Sequence, residues 1–268
     1  MVCEHEIPLL VHADADDPDC AEVSVDGSVA GRPYRFVLDT GARSTHVVAD
    51  EFMAGLADEG GRESTEVFAT RTDTAVTLPD VCVGATPPMT LSTAVLLPAS
   101  QPGARNLLGM DFLRHYRCHF LFDRRLLLLA VSESAGATLP LHVDDASHPY
   151  VDAGWDRAGA SCVWDSGAEI TVVDRGFRQR NEGLFEPAGV SVGTDATGAQ
   201  VRTPTYLMAP VRIGGELFAS HRVAEVDLSV ANRTLERPMD GLLGWTTLRQ
   251  ANWLFDFPAR RWAVTTCP

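Results

Sequence analysis

Residues 36–42 read Phe-Val-Leu-Asp-Thr-Gly-Ala, and residues 162–168 read Cys-Val-Trp-Asp-Ser-Gly-Ala. Each segment is an apolar run that ends in an aspartate, followed by a small hydroxyl residue, a glycine and an alanine. The apolar run predicts a buried strand, and burying a lone carboxylate costs several kcal/mol unless another group compensates it. Because the chain contains two such strands, we expect the carboxyl groups of Asp39 and Asp165 to meet and share one proton.

The features around these two segments recur in the same order in both halves of the chain. A Leu-Leu-Gly stretch follows each segment and ends at Gly109 and at Gly244, and a hairpin with a charged turn then closes each half. We therefore interpret the chain as an internal duplication that produces two similar β-rich lobes facing each other. The predicted lobes are residues 1–135 and residues 136–268.

The segments between these motifs predict short strands and turns with few helices. Alternating apolar and polar residues bounded by Gly, Pro, Asn and Asp are typical of strands and hairpins. Short helices are predicted after Asp50, which suits an N-cap, and over residues 174–181. Polar hairpin tips are predicted around residues 70–74 and residues 194–198. The predicted fold class is all-β, with a bilobal arrangement and a pseudo-twofold axis.

Composition excludes some function classes. The net charge of -14 argues against a nucleic-acid partner, because phosphate binding needs a basic face. No apolar run approaches the roughly 20 residues that a membrane span needs, so no membrane partner is expected. The first residues do not resemble a secretory signal, which favours a cytoplasmic location and reduced thiols. Six cysteines without paired spacing predict no metal site.

A single Asp-Ser/Thr-Gly sequence is weak evidence, because these are ordinary turn residues. Two copies are more specific evidence, because each one follows an apolar strand and each is followed later in the chain by a Leu-Leu-Gly stretch. The combination resembles the aspartic protease superfamily and, within it, the retropepsin-like (retroviral-type) branch. The resemblance implies that Asp39 and Asp165 form a catalytic dyad. It also implies that Thr40 and Ser166 bond to each other beneath the dyad and hold the two loops.

The resemblance further implies a set of substrate-binding residues. Gly41 and Gly167 would let the backbone approach the substrate, and Arg43 and Glu169 hold equivalent places near the substrate backbone. Opposite charges at these two places would make the cleft asymmetric, although both residues also fit a solvated surface. Two hairpins would cover the cleft as flaps, and their predicted contact residues are Thr72, Asp195 and Ala196.

Two carboxyl groups about 3 Å apart cannot both ionise, so they share a proton. The charged member can act as general base on a water, while the protonated member bonds the scissile carbonyl and assists the leaving amine. Ala42 and Ala168 stand where pepsin-like enzymes usually carry a hydroxyl that stabilises the ionised carboxylate. Without that hydroxyl the dyad pKa should rise, which predicts activity at mildly acidic to near-neutral pH.

The sequence therefore predicts a monomeric aspartic endopeptidase that binds an extended peptide and uses neither a metal nor an organic cofactor. Two alternatives remain open, since a fold does not determine a function. The dyad could serve one dedicated peptide-maturation step or acid–base chemistry on a small molecule. The cleft could also be a peptide-binding module without catalysis, although two intact aspartates argue against it.

Overall fold

The computed structural model describes residues 4–65, 70–130, 136, 138–194 and 200–266. Strands dominate these residues, and the longest α-helix among them is the six-residue Arg175–Arg180. The fold is therefore mostly β, as predicted from the sequence. Within the described parts of the chain, no helix is long and apolar enough to cross a bilayer.

The strands of the first half, in chain order, are β1 (Glu4–Pro8), β2 (Leu10–Ala13), β3 (Ala21–Val29), β4 (Arg32–Leu38), β5 (His46–Val48), β6 (Ala57–Thr65), β7 (Thr70–Val83), β8 (Met89–Leu97), β9 (Leu107–Leu108), β10 (Arg117–Leu121) and β11 (Leu126–Ala130). Its helices are α1 (Glu51–Ala54) and α2 (Met110–Leu113), and a 3-10 turn spans Phe122–Arg124.

The strands of the second half are β12 (Leu139–Pro140), β13 (His142–Val143), β14 (Pro149–Trp155), β15 (Ala158–Trp164), β16 (Thr171–Asp174), β17 (Phe185–Thr194), β18 (Gln200–Met208), β19 (Val211–Ile213), β20 (Glu216–Phe218), β21 (His221–Val226), β22 (Gly241–Leu243), β23 (Asn252–Asp256) and β24 (Arg261–Thr266). Its helices are α3 (Arg175–Arg180), α4 (Ser229–Asn232) and α5 (Trp245–Leu248), and a 3-10 turn spans Glu182–Leu184.

Each half of the chain builds its own sheet, which we call the first and the second lobe. The first lobe has the strand order β2-β3-β4-β9-β5-β8-β7-β6. The second has the order β17-β18-β21-β16-β22-β15-β14-β19-β20, with β13 added on β14. The centres correspond, because β4-β9-β5-β8 and β15-β22-β16-β21 share one pattern of two parallel outer pairs and one antiparallel inner pair. Repeated sequence motifs predict this likeness.

A third sheet contains strands from both halves, in the order β1-β11-β10-β23-β24-β12. The two halves join where β10 pairs antiparallel with β23, so that Phe120 lies opposite Trp253. Aromatic rings cover this junction. Trp164 of the second lobe lies 4.7 Å from the ring centre of Phe120 and 4.6 Å from that of Phe255. Since these side chains are fully buried, the lobes share one apolar core.

Side-chain caps start the two helices that the sequence predicts. The Asp50 carboxylate accepts a hydrogen bond of 2.7 Å from the Met53 N–H at the start of α1. The Asp174 carboxylate accepts one of 3.1 Å from the Phe177 N–H at the start of α3. Both caps satisfy a backbone donor that has no partner within the helix, and both predicted helices are confirmed.

The first hairpin differs from its predicted position. The sequence places its tip around residues 70–74, but β6 pairs with β7 so that Thr65 lies opposite Thr70 and Glu63 lies opposite Thr72. Residues 70–74 therefore belong to a strand, and residues 66–69, between β6 and β7, lie outside the described residues. A Thr-rich segment favours a strand as much as a turn, so composition alone could not set the register.

The second hairpin, β17 with β18, is where the sequence predicts it, with Thr194 opposite Gln200. Its tip lies outside the described residues. The boundary between residues 135 and 136 stays a prediction, because the structure describes residue 136 but not residues 131–135 or 137.

Candidate active site

Asp39 and Asp165 occupy matching positions at the ends of β4 and β15. The Asp39 N–H donates to the Leu108 carbonyl oxygen at 3.1 Å, and the Asp165 N–H donates to the Leu243 carbonyl oxygen at 3.0 Å. Each aspartate is thus held against the neighbouring Leu-Leu strand of its own lobe. Both residues are half-buried, so each remains partly exposed to solvent.

The two loops after these strands approach each other closely. A Cβ atom built on Gly41 would lie 2.8 Å from the Asp165 carboxyl carbon, and one built on Gly167 would lie 2.5 Å from the Asp39 carboxyl carbon. Real Cβ atoms do not come that near. Glycine at both positions therefore allows each carboxyl group to lie against the backbone of the opposite loop, which brings the two carboxyl groups together.

Thr40 and Ser166 join the loops by reciprocal hydrogen bonds. The Thr40 N–H donates to Ser166 Oγ at 3.1 Å, and the Ser166 N–H donates to Thr40 Oγ1 at 3.0 Å. Each hydroxyl then donates to a carbonyl oxygen of the opposite strand, that of Trp164 at 2.7 Å and that of Leu38 at 2.9 Å. The predicted cross-bonding of these two residues is present. It satisfies polar groups that are shielded from water.

Backbone donors hold the carboxyl groups. Asp39 Oδ1 accepts the N–H groups of Gly41 at 3.0 Å and Ala42 at 2.9 Å, and Asp165 Oδ1 accepts that of Gly167 at 2.9 Å. Burial raises the pKa of both carboxyl groups, and the neighbouring charge of Asp39 further raises the pKa of Asp165, to about 7. One of the pair is therefore neutral over a pH range where a free aspartate is ionised.

The Leu-Leu-Gly stretches lie beneath the two loops. The Met110 N–H donates to the Ala42 carbonyl oxygen at 2.8 Å, and the Trp245 N–H donates to the Ala168 carbonyl oxygen at 2.9 Å. A Cβ atom on Gly109 would lie 2.9 Å from the Ala42 oxygen. The glycine before each short helix is thus required by close packing under the loop, which accounts for its repetition.

Comparison with known proteins agrees with this geometry. Residues 25–115 match the family described as gag-polyprotein putative aspartyl protease. This match supports a retropepsin-like aspartic protease for residues 25–115. The matched range includes Asp39 and the Leu-Leu-Gly stretch that ends at Gly109, whereas the second motif at Asp165 lies beyond it. No curated protein matches the chain.

Charged residues lie near the loops that follow Asp39 and Asp165, and sequence reasoning missed three of them: Glu22, Arg105 and His148. Arg105 Nη1 lies 2.8 Å from Glu22 Oε2 and 3.2 Å from Glu169 Oε1, so it bridges the two lobes. His148 lies beside the second loop, bonded to Asp144. The sequence could have pointed to Glu22 and His148, because they are separated by the same 126 residues as the cross-bonded Thr40 and Ser166. Nothing near Arg105 in the sequence marks it.

The other predicted substrate-binding residues are distributed as follows. Arg43 is exposed, and its backbone carbonyl oxygen accepts the Asp111 N–H at 3.1 Å. Glu169 is half-buried and bonded to Arg105. Thr72 lies within β7, while Asp195 and Ala196 lie outside the described residues. Among the described residues, no cluster of three or more His, Cys, Asp or Glu side chains could hold a metal ion.

Proposed function

We propose that the protein is an aspartic endopeptidase whose dyad is Asp39 and Asp165. The observation that carries the proposal is the reciprocal approach of the two loops, in which each glycine faces the opposite carboxyl group. That arrangement brings two acids from different lobes to one point. A structural role alone does not account for it, because two adjacent half-buried carboxyl groups cost stability.

The chemistry follows from one shared proton. The ionised carboxylate removes a proton from a water, whose oxygen attacks the carbonyl carbon of the peptide. The protonated carboxyl group donates a hydrogen bond to the carbonyl oxygen, which gains negative charge. Collapse of the tetrahedral intermediate breaks the C–N bond, and a dyad proton passes to the leaving amine. The pKa of about 7 for Asp165 supports the neutral member of the pair.

The substrate in this proposal is a peptide in extended conformation. The long hairpins β6–β7 and β17–β18 are candidates for the two flaps that would bind its main chain by strand-like hydrogen bonds. One chain supplies both aspartates, so a monomer suffices for activity. Gly41 and Gly167 have a second role here, because a loop without side chains leaves room for the peptide backbone.

Asparagine substitutions test the dyad. We expect Asp39→Asn and Asp165→Asn each to lower kcat on a mixed peptide library by at least about a hundredfold, since each removes one member of the acid–base pair. The exposed Asp156, in the turn between β14 and β15, provides the matched control Asp156→Asn, which should retain full activity. Circular dichroism should show that all three variants fold.

The pH profile adds an independent check. Activity should peak at mildly acidic to near-neutral pH and fall as pH rises above about 7, where the pair loses its shared proton. A maximum near about pH 2, or full activity in either dyad variant, would contradict the proposed mechanism.

A further inference from the structure

The charges beside the dyad differ between the two lobes although their positions correspond. The 126-residue spacing of Thr40 and Ser166 also relates Glu22 to His148 and Arg43 to Glu169. In the first pair the acidic residue belongs to the first lobe and the basic residue to the second. In the second pair the order is reversed. The two lobes therefore differ in charge at these corresponding positions.

At one end of the cleft the charged side chains bind one another within the protein. Arg105 Nη1 contacts Glu22 of the first lobe at 2.8 Å and Glu169 of the second at 3.2 Å. The Ala21 N–H also donates to the Glu169 carbonyl oxygen at 3.3 Å, which fixes Glu169 on the first lobe. Two carboxylates share one guanidinium here, so this end carries an excess negative charge and repels a further carboxylate.

The strand register indicates where Glu22 and His148 lie relative to the aspartates. Ser24 pairs with Val37, and Tyr150 pairs with Val163. Continuing each antiparallel ladder by two positions sets Glu22 level with Asp39 and His148 level with Asp165, on the same faces. At that position a positive charge on His148 lowers the pKa of both dyad carboxyl groups, against the larger effect of burial, which raises it.

The other end has a contact of its own, between His148 and Asp144, which does not include Arg43. His148 makes two hydrogen bonds to the Asp144 carboxylate. Its backbone N–H donates to Oδ1 at 2.8 Å, and its ring Nδ1 lies 3.0 Å from Oδ2. Arg43, in the position that corresponds to Glu169, is exposed and forms no ion pair within the described ranges. Pseudo-twofold correspondence puts Arg43 on the same end as His148, since Glu169 lies on the same end as Glu22. This end therefore presents an arginine free to bind a carboxylate.

We propose that the cleft binds peptides in a single orientation and selects an acidic side chain on one side of the scissile bond, through Arg43 at the end marked by His148. This inference rests on the proposed endopeptidase function. A guanidinium binds a carboxylate through two parallel hydrogen bonds, which makes Arg43 a geometric as well as an electrostatic determinant. The Glu22–Arg105–Glu169 bridge rejects the same side chain at the opposite end.

The test compares peptides that carry Glu or Gln at each position on either side of the cleaved bond. Wild type should favour Glu over Gln in kcat/KM by at least about fivefold, on one side only. Arg43→Gln should abolish that preference, and Arg43→Glu should convert it into a preference for Lys. The exposed Arg157 lies in the turn between β14 and β15, and Arg157→Gln should leave the preference unchanged.

Binding of the same peptides with an uncleavable reduced bond separates the two proposals. If wild type cleaves the peptides without an acidic preference, or if Arg43→Gln keeps the preference, the inference is wrong and the endopeptidase stands. If nothing is cleaved but the Glu peptide binds in an Arg43-dependent manner, the endopeptidase is wrong and the acid-selecting cleft stands. If nothing is cleaved and Glu and Gln peptides bind equally or not at all, both are overturned.

Discussion

Asp39 and Asp165 lie so close together that ionising both carboxyl groups would destabilise the folded protein. One of the two therefore remains protonated. Backbone N–H groups of the loops stabilise the ionised member, while burial favours the neutral one. The pair is therefore tuned by its surroundings rather than by an added hydroxyl, since alanine follows each glycine. The direction of these pKa shifts agrees with the predicted working range near neutral pH.

The raised pKa of Asp165 makes folding depend on pH. The folded state favours the protonated acid, so its contribution is complete below the unfolded value of 3.8 and is lost as pH rises through about 7. Asp165→Asn has no proton to lose. We expect the variant to be more stable than wild type by a few kcal/mol at about pH 8, with the difference shrinking toward pH 4, because one pKa unit corresponds to about 1.4 kcal/mol.

Urea unfolding of both proteins across that pH range measures the effect. Asp156→Asn, in an exposed turn, should show no pH-dependent difference from wild type. Equal stability of wild type and Asp165→Asn at every pH would show that ionisation of Asp165 does not destabilise the folded protein.

At the scale of elements, two loops from different sheets are locked together by the hydroxyls of Thr40 and Ser166. Each hydroxyl both accepts from the opposite loop and donates to the opposite strand. The geometry of the dyad therefore depends on bonds beneath it as much as on the aspartates. Rigid support of this kind is what the proposed catalytic pair requires, because small displacements are costly to the rate.

Removing one hydroxyl should affect stability and activity together. Thr40→Val leaves the Ser166 N–H and the Trp164 carbonyl oxygen buried without their partner, and we expect a loss of about 2–5 kcal/mol in the free energy of unfolding. The rate should fall even at temperatures where the variant is folded. Thr93 is exposed on β8, so Thr93→Val should change stability by less than about 0.5 kcal/mol. An active, fully stable Thr40→Val variant would show that the cross-bonds are dispensable.

The whole molecule is held together by the sheet that both halves share and by the aromatic core around Trp164. This residue directly precedes Asp165, so packing between lobes and placement of the second carboxyl group are coupled. The rings of Phe120 and Phe255 lie within 5 Å of it. Two lobes joined in this way should not unfold separately, since exposing either would uncover apolar surface on the other.

We therefore expect one cooperative thermal transition, seen at the same temperature by far-UV and near-UV circular dichroism. Trp164→Phe should lower that temperature while keeping a single transition, because removing part of a buried ring leaves a cavity. Trp155 is only half-buried, so Trp155→Phe should have a smaller effect. Two resolved transitions in wild type would indicate that the lobes are independent.

Local features of the chain were predictable from the sequence because they depend on neighbours in the chain. Apolar runs before Asp39 and Asp165 became buried strands, and Asp50 and Asp174 became helix caps. Repetition of the Asp-hydroxyl-Gly-Ala motif was enough to predict two matching loops. The cross-bonding of Thr40 and Ser166 came from the family resemblance rather than from the residues themselves.

Only the tertiary structure determines the register of paired strands and the contacts between residues that are distant in the sequence. Residues 70–74 fall within a strand because the pairing of β6 with β7 is set by the whole sheet. Gly41 and Gly167 proved to face the opposite carboxyl groups, a contact that exists only once the two lobes are packed. Arg105 connects Glu22 and Glu169 for the same reason. Hydrophobic periodicity fixes which residues are buried, but only packing fixes which charges meet.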